Sequence, residues 1–313
     1  MTESDLVLAL GTELGEPVHF GKWRYWMKNE AIRKWIYVEQ DASAIGVNRP
    51  IDVPLVGDLR GVVPQLVAAL KDTPLPPSAG LAAFMKDGQA ELDELAEEAS
   101  TRADGSGDVP MHPSRFVVEA SKAFPTDGIL IRDGGATVIY QWTYSQSKPH
   151  HVIWNQNFGH IGTGLPYATG AMLADHAATG VQRPGMLISS DSSFMFHIAE
   201  LEVAARTRLP LVCVVGVDNQ WGLEVGVYKR TFGQGTEETG THWSKDVRFD
   251  KIGEGFGCHG EYVTKAADIG PAIERCYASG KVGVVHVVID PKANSEEMPK
   301  YAEFRTWYAE GTQ

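Results

Sequence analysis

At 313 residues, 43% apolar and 22% charged, the chain has the composition of an ordinary globular protein, long enough for two domains with cores of their own. A net charge of −12 excludes nucleic acid as the main partner, because backbone binding needs clustered Lys and Arg; a small anionic ligand stays open, since local N–H groups and a metal override the global field. With no long apolar run and no signal-like amino terminus, a cytoplasmic protein without a membrane span is the expectation.

The first expected element is a buried strand over Asp5–Leu10, turned by Gly11 into the loop LGEPVHFGK. A second strand, Trp35–Glu39, leads through QDASAIGVNRPIDVPLVGD into a helix over Arg60–Leu70. Strand, crossover, strand and helix make half of a doubly wound α/β domain, here residues 1–72. From 73 to 110 the texture changes to a Pro-rich break, an acidic helix with a solvated face (DGQAELDELAEEAS) and the flexible run TRADGSGD, which reads as a linker.

Residues 111–296 read as a second α/β domain. It opens on the helix MHPSRFVVEASKAF, the strand Gly128–Arg132 and a turn over Asp133–Thr137. Next, WNQNFGHIGTGLPYATGA places Gly159, Gly162 and Gly164 before a helix opened by Pro166. Such a loop offers N–H groups and the positive end of a helix dipole to an anion or a carbonyl-rich ring, although helix–sheet packing explains glycines there as well. His160 in this loop is either an acid–base group or a structural histidine.

The stretch from Met186 to Gly222 organises the rest. An apolar strand (Met186–Ile188), a small-residue turn with Asp191, a helix over His197–Thr207 and a second strand (Leu211–Val217) form a βαβ unit. Asp191 and Asn219 then share one sheet edge, the carboxyl edge where α/β ligands bind. A carboxylate and a carboxamide at adjacent strand ends suit Mg²⁺ better than zinc, and Mg²⁺ fills its shell with phosphate oxygens, which points to a diphosphate. Two turn residues are the alternative reading.

Beyond Trp221, GLEVGVYKRTFGQGTEETGTHWSKDV reads as a long polar loop; a helix, a strand at Glu261–Val263, a helix and the strand Val284–Ile289 complete a sheet of six-stranded type. The tail at 297–313 is a cap or an aromatic anchor. Cys213, Cys258 and Cys276, without CxxC spacing, read as reduced thiols.

SDSS…VDNQWG resembles the Gly-Asp-Gly…Asn-Asn signature of the thiamine diphosphate enzymes, with serines (Ser190, Ser192) at both glycines and Asp218 at the first Asn. The resemblance implies that Asp191 and Asn219, with the Trp221 carbonyl, hold Mg²⁺, and that Ser190, Ser192, Ser193 and Gly222 adjoin the cofactor. GHIGTGLPYATGA is similar to the segment that clamps the aminopyrimidine ring. It implies Ile161 as the wedge that bends the cofactor, contacts from Gly159, His160 and the Ile161 N–H, and Ala136 and Thr137 against the diphosphate. DLVLALGTEL and DASAIGVNRPIDVPLVGD are similar to the second half of the family's middle domain in acetolactate synthases, oxalyl-CoA decarboxylases and 2-hydroxyacyl-CoA lyases. That domain can hold FAD or an ADP-containing ligand such as CoA, but no complete Gly-x-Gly-x-x-Gly loop occurs here.

The family's catalytic glutamate lies on a pyrimidine-binding domain with no counterpart in residues 1–150. The expectation is therefore one subunit of a split enzyme, a heterodimer or α2β2 assembly whose partner brings that domain and the first half of the middle domain. The implied chemistry is decarboxylation, 2-hydroxyacyl-CoA cleavage or acetolactate-synthase-like carboligation, with the thiazolium as electron sink. The alternative is a non-catalytic scaffold that kept the fold and lost the cofactor.

Overall fold

The computed structural model describes residues 4–15, 20–21, 26, 28–73, 79–154, 160–233, 235 and 240–297. The chain divides into two compact units, 1–82 and 83–313. The tail beyond Glu297 and the cofactor-loop residue Gly159 lie outside the described residues.

In the first unit, β1 (Leu6–Leu10), β2 (Lys34–Glu39) and β3 (Val53–Val56) form a parallel sheet in the order β1-β2-β3, followed by α1 (Leu59–Leu70). The middle strand carries the core: Trp35 and Tyr37 are buried with Ala9, Leu14 and Trp26, and the Arg49 guanidinium lies 3.8 Å from the Trp35 ring centroid. Asp58 caps α1 by accepting the Arg60 N–H at 2.8 Å.

Two expectations need correction here. The connection after β2 holds a third strand, short and interrupted by Pro54. The first strand is not buried: it lies at the sheet edge, where Leu6, Leu8 and Leu10 are 53%, 48% and 40% exposed and only Ala9 is covered.

The second unit is built on six parallel strands in the order β5-β4-β6-β7-β9-β8. These are β4 (Ile129–Arg132), β5 (His151–Ile153), β6 (Gly185–Ser190), β7 (Leu211–Val217), β8 (His259–Val263) and β9 (Gly283–Val288). Before the first of them come α2 (Ala79–Thr101) and α3 (Pro113–Lys122); between them run α4 (Ala136–Tyr144), α5 (Gly164–Thr179), α6 (Asp191–Phe196), α7 (Glu200–Arg206), α8 (Gly222–Phe232), α9 (Phe249–Gly255) and α10 (Ile269–Ala278), and α11 (Pro291–Glu296) follows the last.

Successive strand residues face opposite sides, so each central strand feeds two cores. Leu130, Met186, Ile188, Val212, Val214 and Val285 pack with Phe116 of α3 and Ile273 of α10. Ile131, Leu187, Cys213, Val215 and Val284 pack with Leu165 and Met172 of α5 and Leu201 of α7. Helices on both faces of a parallel sheet are the doubly wound arrangement. The acidic helix is longer than its charged stretch, and Leu95 and Ala99 enter the first of these cores. The three cysteines are free and buried, and no helix of the described residues is long and apolar enough to cross a membrane.

One core group makes stability depend on pH. His286 of β9 accepts the Phe249 N–H at Nδ1, 3.2 Å away, and burial pulls its pKa down to about 4 against the opposing pull of Asp250, with Arg248 acting in the same direction as burial. The unfolded chain therefore takes up this proton first, near the free-histidine value. Stability is expected to fall as pH drops from ~6.5 towards 4 and to level off below, a loss of roughly 3 kcal/mol. Urea unfolding from pH 8 to 4 measures it, and His286→Gln should flatten that part of the profile.

Candidate cofactor site

The sheet order reverses between β4 and β6: from β4 the chain passes to β5 on one side, from β6 to β7 on the other. Loops leaving these neighbouring carboxyl ends diverge and leave a crevice, the place where α/β sheets bind ligands. Three segments meet there: Asp133–Ala136 after β4, Asp191–Ser193 after β6 and Asp218–Gly222 after β7. Ala136, Ile161, Ser190, Ser192, Trp221 and Gly222 line one cleft, together with Asp218 and Asn294.

Asp191 is the first residue of α6, not part of a turn, and is fully buried. Its two oxygens each accept a backbone N–H at 2.8 Å, Oδ1 from Ser192 and Oδ2 from Asn219. The second bond ties the tips of β6 and β7 together. Burial raises the Asp191 pKa well above the carboxylate range, and the neighbouring Asp218 raises it further. Asp218, also buried, is pushed up to about 6 by desolvation although Asn294 (2.8 Å) and Gln220 (3.2 Å) donate to its Oδ2.

Asn219 sits in the left-handed region, φ 59°, which Asn tolerates better than most residues. Its Nδ2 donates to the Ser244 carbonyl at 3.2 Å, so Oδ1 is the atom left to accept or ligate. Segment 241–244 buckles onto this turn: Trp221 N–H donates to the Thr241 carbonyl (2.8 Å) and Trp243 N–H to the Asn219 carbonyl (3.1 Å). The Trp221 carbonyl accepts the Val225 N–H at 2.9 Å and keeps a second lone pair. Trp221 stands edge-on to Phe196 and to Trp243, centroids 5.7 and 6.1 Å away, an aromatic wall beside the metal-ligand candidates.

The loop carrying Ile161 is held by a residue that the sequence did not single out. The Asp133 carboxylate accepts three N–H groups, from Gly134 (2.8 Å), Gly162 (3.0 Å) and Gly164 (2.7 Å). His197 Nδ1 pairs with the Gly162 carbonyl at 2.7 Å. Gly162 has φ 90°, and a Cβ there would stand 2.6 Å from Phe196 Cβ, so only glycine fits. An aspartate directly before Gly-Gly at a strand end was the available signal for Asp133. Asn294 and Gln220, which hold Asp218, carry no such local signal.

The remaining expected residues fall as follows. Ala136 and Thr137 are the first two residues of α4 and are buried; the turn ends at Gly135, which corrects the expected Asp133–Thr137 turn. The Ser190 hydroxyl lies 2.9 Å from that of Ser192 and donates to that of Ser193 at 3.3 Å, all three residues buried. His160 is exposed and outside the cleft lining. The expected polar loop after Trp221 begins instead as α8, so Gly222 is the first residue of a helix. A Cβ on Gly222 would meet Asn294 Nδ2 at 2.8 Å and Asp218 Oδ2 at 2.9 Å.

These residues fit a divalent cation with a diphosphate. The donor set is all hard oxygen: a carboxylate, a carboxamide and a backbone carbonyl. Two carboxylates buried together are costly without a cation. Thr137 Oγ1 and Asn294 Oδ1 are buried with no hydrogen-bond partner among the described residues, and such atoms are normally satisfied.

Comparison with known proteins agrees with this geometry. Residues 133–287 match the family model described as "Thiamine pyrophosphate enzyme, C-terminal TPP binding domain", and residues 1–66 match "Thiamine pyrophosphate enzyme, central domain". The chain is 28% identical over 278 residues to the acetolactate synthase large subunit IlvG of Mycobacterium tuberculosis, covering 81% of this chain and 49% of that protein. To the 2-hydroxyacyl-CoA lyase of Oryza sativa subsp. japonica it is 26% identical over 307 residues, covering 94% and 50%. Its fold is similar to that of a benzoylformate decarboxylase crystal structure from Polynucleobacter necessarius, with a TM-score of 0.69 and 15% identity over 92% of this chain and 49% of that one. The chain thus spans about half the length of the curated relatives it matches. With Asp191 and Asn219 joined across neighbouring strand tips inside the region that the cofactor-domain model matches, the chain belongs to the thiamine pyrophosphate enzyme family, of which it carries the central and C-terminal TPP-binding domains.

Proposed function

We propose that this chain is one subunit of a heteromeric thiamine diphosphate- and Mg²⁺-dependent enzyme that makes or breaks a C–C bond next to a carbonyl. The reaction we propose is 2-oxo acid decarboxylation, acetolactate-synthase-like carboligation or 2-hydroxyacyl-CoA cleavage; the named activities of the acetolactate synthase and 2-hydroxyacyl-CoA lyase relatives support the last two. The observation that carries the reading is the buried Asp191 carboxylate bonded to Asn219 N–H, with Asp218 beside it.

In this reading Asp191, Asn219 Oδ1 and the Trp221 carbonyl hold Mg²⁺, and the start of α4 with the unpaired Thr137 hydroxyl faces the diphosphate. The bound cofactor supplies an electron sink for the carbon next to the substrate carbonyl. The protein's contribution is placement: Asp133 fixes the loop so that Ile161 forms one wall of the cleft, and orientation of reacting groups of this kind lowers the barrier substantially. Trp221, edge-on to Phe196 at 5.7 Å, stands beside the metal-ligand candidates. His160, exposed and adjacent to Ile161, is this chain's acid–base candidate.

A second polypeptide bringing the pyrimidine-binding domain and its activating glutamate is part of the proposal. The edge strand β1 supports it: an open strand with three exposed leucines is a surface that proteins ordinarily cover. The partner in this reading brings the first half of the middle domain to that edge. Titration calorimetry with Mg²⁺ and thiamine diphosphate tests the assignment, using the chain alone and mixed with the product of a neighbouring open reading frame. Heat only in the mixture is the expected result. Saturable heat with the chain alone contradicts the need for a partner, and no heat in either case supports the scaffold reading favoured by the mutually bonded Ser190 and Ser192.

A further inference from the structure

A second group of metal-ligating side chains lies at the opposite end of the six-stranded sheet. His150 and His151 stand at the amino-terminal end of β5 and Asp175 on α5, with one ligand atom from each within 4.8 Å of the others. Because the strands are parallel, Asp133 and Asp191 follow the carboxyl ends of β4 and β6, whereas this group adjoins the amino ends.

The surrounding bonds orient the three residues. Asp127, just before β4, presents Oδ1 to His150 Nδ1 at 2.9 Å. Arg183 takes the other oxygens: its Nε donates to Asp127 Oδ2 at 3.1 Å and its Nη1 to Asp175 Oδ2 at 2.8 Å. That leaves Asp175 Oδ1 turned to His151 Nε2, 3.9 Å away. The gap is too long for a hydrogen bond and close to the ~3.4 Å that separates two ligands of one tetrahedral ion.

We propose that His150, His151 and Asp175 bind one transition-metal ion of the Zn²⁺ class, with water completing its shell. Two imidazoles and one carboxylate select zinc, nickel or copper over Mg²⁺ and Ca²⁺, which prefer all-oxygen shells. Asp127 plays the outer part common in such sites: its carboxylate, 2.9 Å from His150 Nδ1, is placed to orient that ring. Arg183 neutralises the carboxylates without filling the Asp175 oxygen that faces His151. The side chains of His150 and His151 are 36% and 51% exposed, so both rings have room to close on an ion.

The site has a structural consequence for the cofactor cleft. β5 is a three-residue edge strand, and α5 begins at Gly164, directly after the loop that carries Ile161. An ion at this position clips together the two elements that flank that loop.

The test is a titration of metal-free full-length chain with Zn²⁺ in saturating Mg²⁺, read by calorimetry and by zinc X-ray absorption. One Zn²⁺ per chain in a nitrogen and oxygen shell with imidazole scattering is expected, together with a rise in melting temperature. His150→Ala and His151→Ala should each weaken binding by at least tenfold and abolish the rise, while Asp127→Asn weakens it about tenfold. These surface variants should keep the metal-free melting temperature of the parent chain. No stoichiometric binding, sulfur in the shell, or unchanged affinity in both histidine variants would overturn the site.

Discussion

In the proposed assembly, an Asp191→Ala chain is expected to lose Mg²⁺-dependent affinity for thiamine diphosphate by roughly 10²- to 4 × 10³-fold, and activity with it. The side chain is fully buried at the tip of β6 and already orients both oxygens through the Ser192 and Asn219 N–H groups. It is therefore pre-organised for a cation at no further ordering cost. Deleting one partner of a buried charge pair costs ~3–5 kcal/mol, and each 1.4 kcal/mol is about tenfold in affinity. Asn219→Ala removes a neutral ligand and should cost less. Calorimetry on both variants separates the two, and parent-like affinity in Asp191→Ala would remove the metal assignment.

Asp133→Ala is expected to destabilise the second unit by at least ~3 kcal/mol. Three N–H groups, of Gly134, Gly162 and Gly164, converge on this one carboxylate, and a buried donor left without its acceptor costs ~1–3 kcal/mol. The damage should spread to the cleft, because the same bonds hold the loop bearing Ile161. Urea unfolding gives the stability loss, and cofactor titration below the unfolding transition gives the effect on the cleft. A change below ~1 kcal/mol would show that the loop is held by other means, such as His197.

The central sheet was legible because fully buried parallel strands read as unbroken apolar runs. β7 occupies Leu211–Val217 with every residue buried, as its sequence indicates. β5, on the sheet edge, starts at His151 directly after His150 and has no such run. α4 and α8 hide for a different reason. ATVIYQWTY is rich in β-branched and aromatic residues, and GLEVGVYKRTF contains two glycines, so local propensity speaks against both helices. Packing decides instead, with Ala136, Val138, Ile139 and Leu223 sharing one buried cluster.

The same division holds in the site. Asp191 and Asn219 were legible because a βαβ unit brings neighbouring strand tips together. The partners of Asp218 and Gly162 were not: Asn294 lies 76 residues from Asp218, and Asp133 lies 29 from Gly162. The edge position of β1 was also hidden, since an apolar strand looks the same whether a neighbouring strand is supplied by its own chain or by another.

The most direct measurement is crystallographic, with Mn²⁺ and thiamine diphosphate added to the proposed assembly. The expected result is an anomalous peak between the Asp191 carboxylate, Asn219 Oδ1 and the Trp221 carbonyl, with diphosphate density against the first turn of α4. A cofactor bound elsewhere, or a cleft holding neither ion nor diphosphate at saturating concentrations, would contradict it.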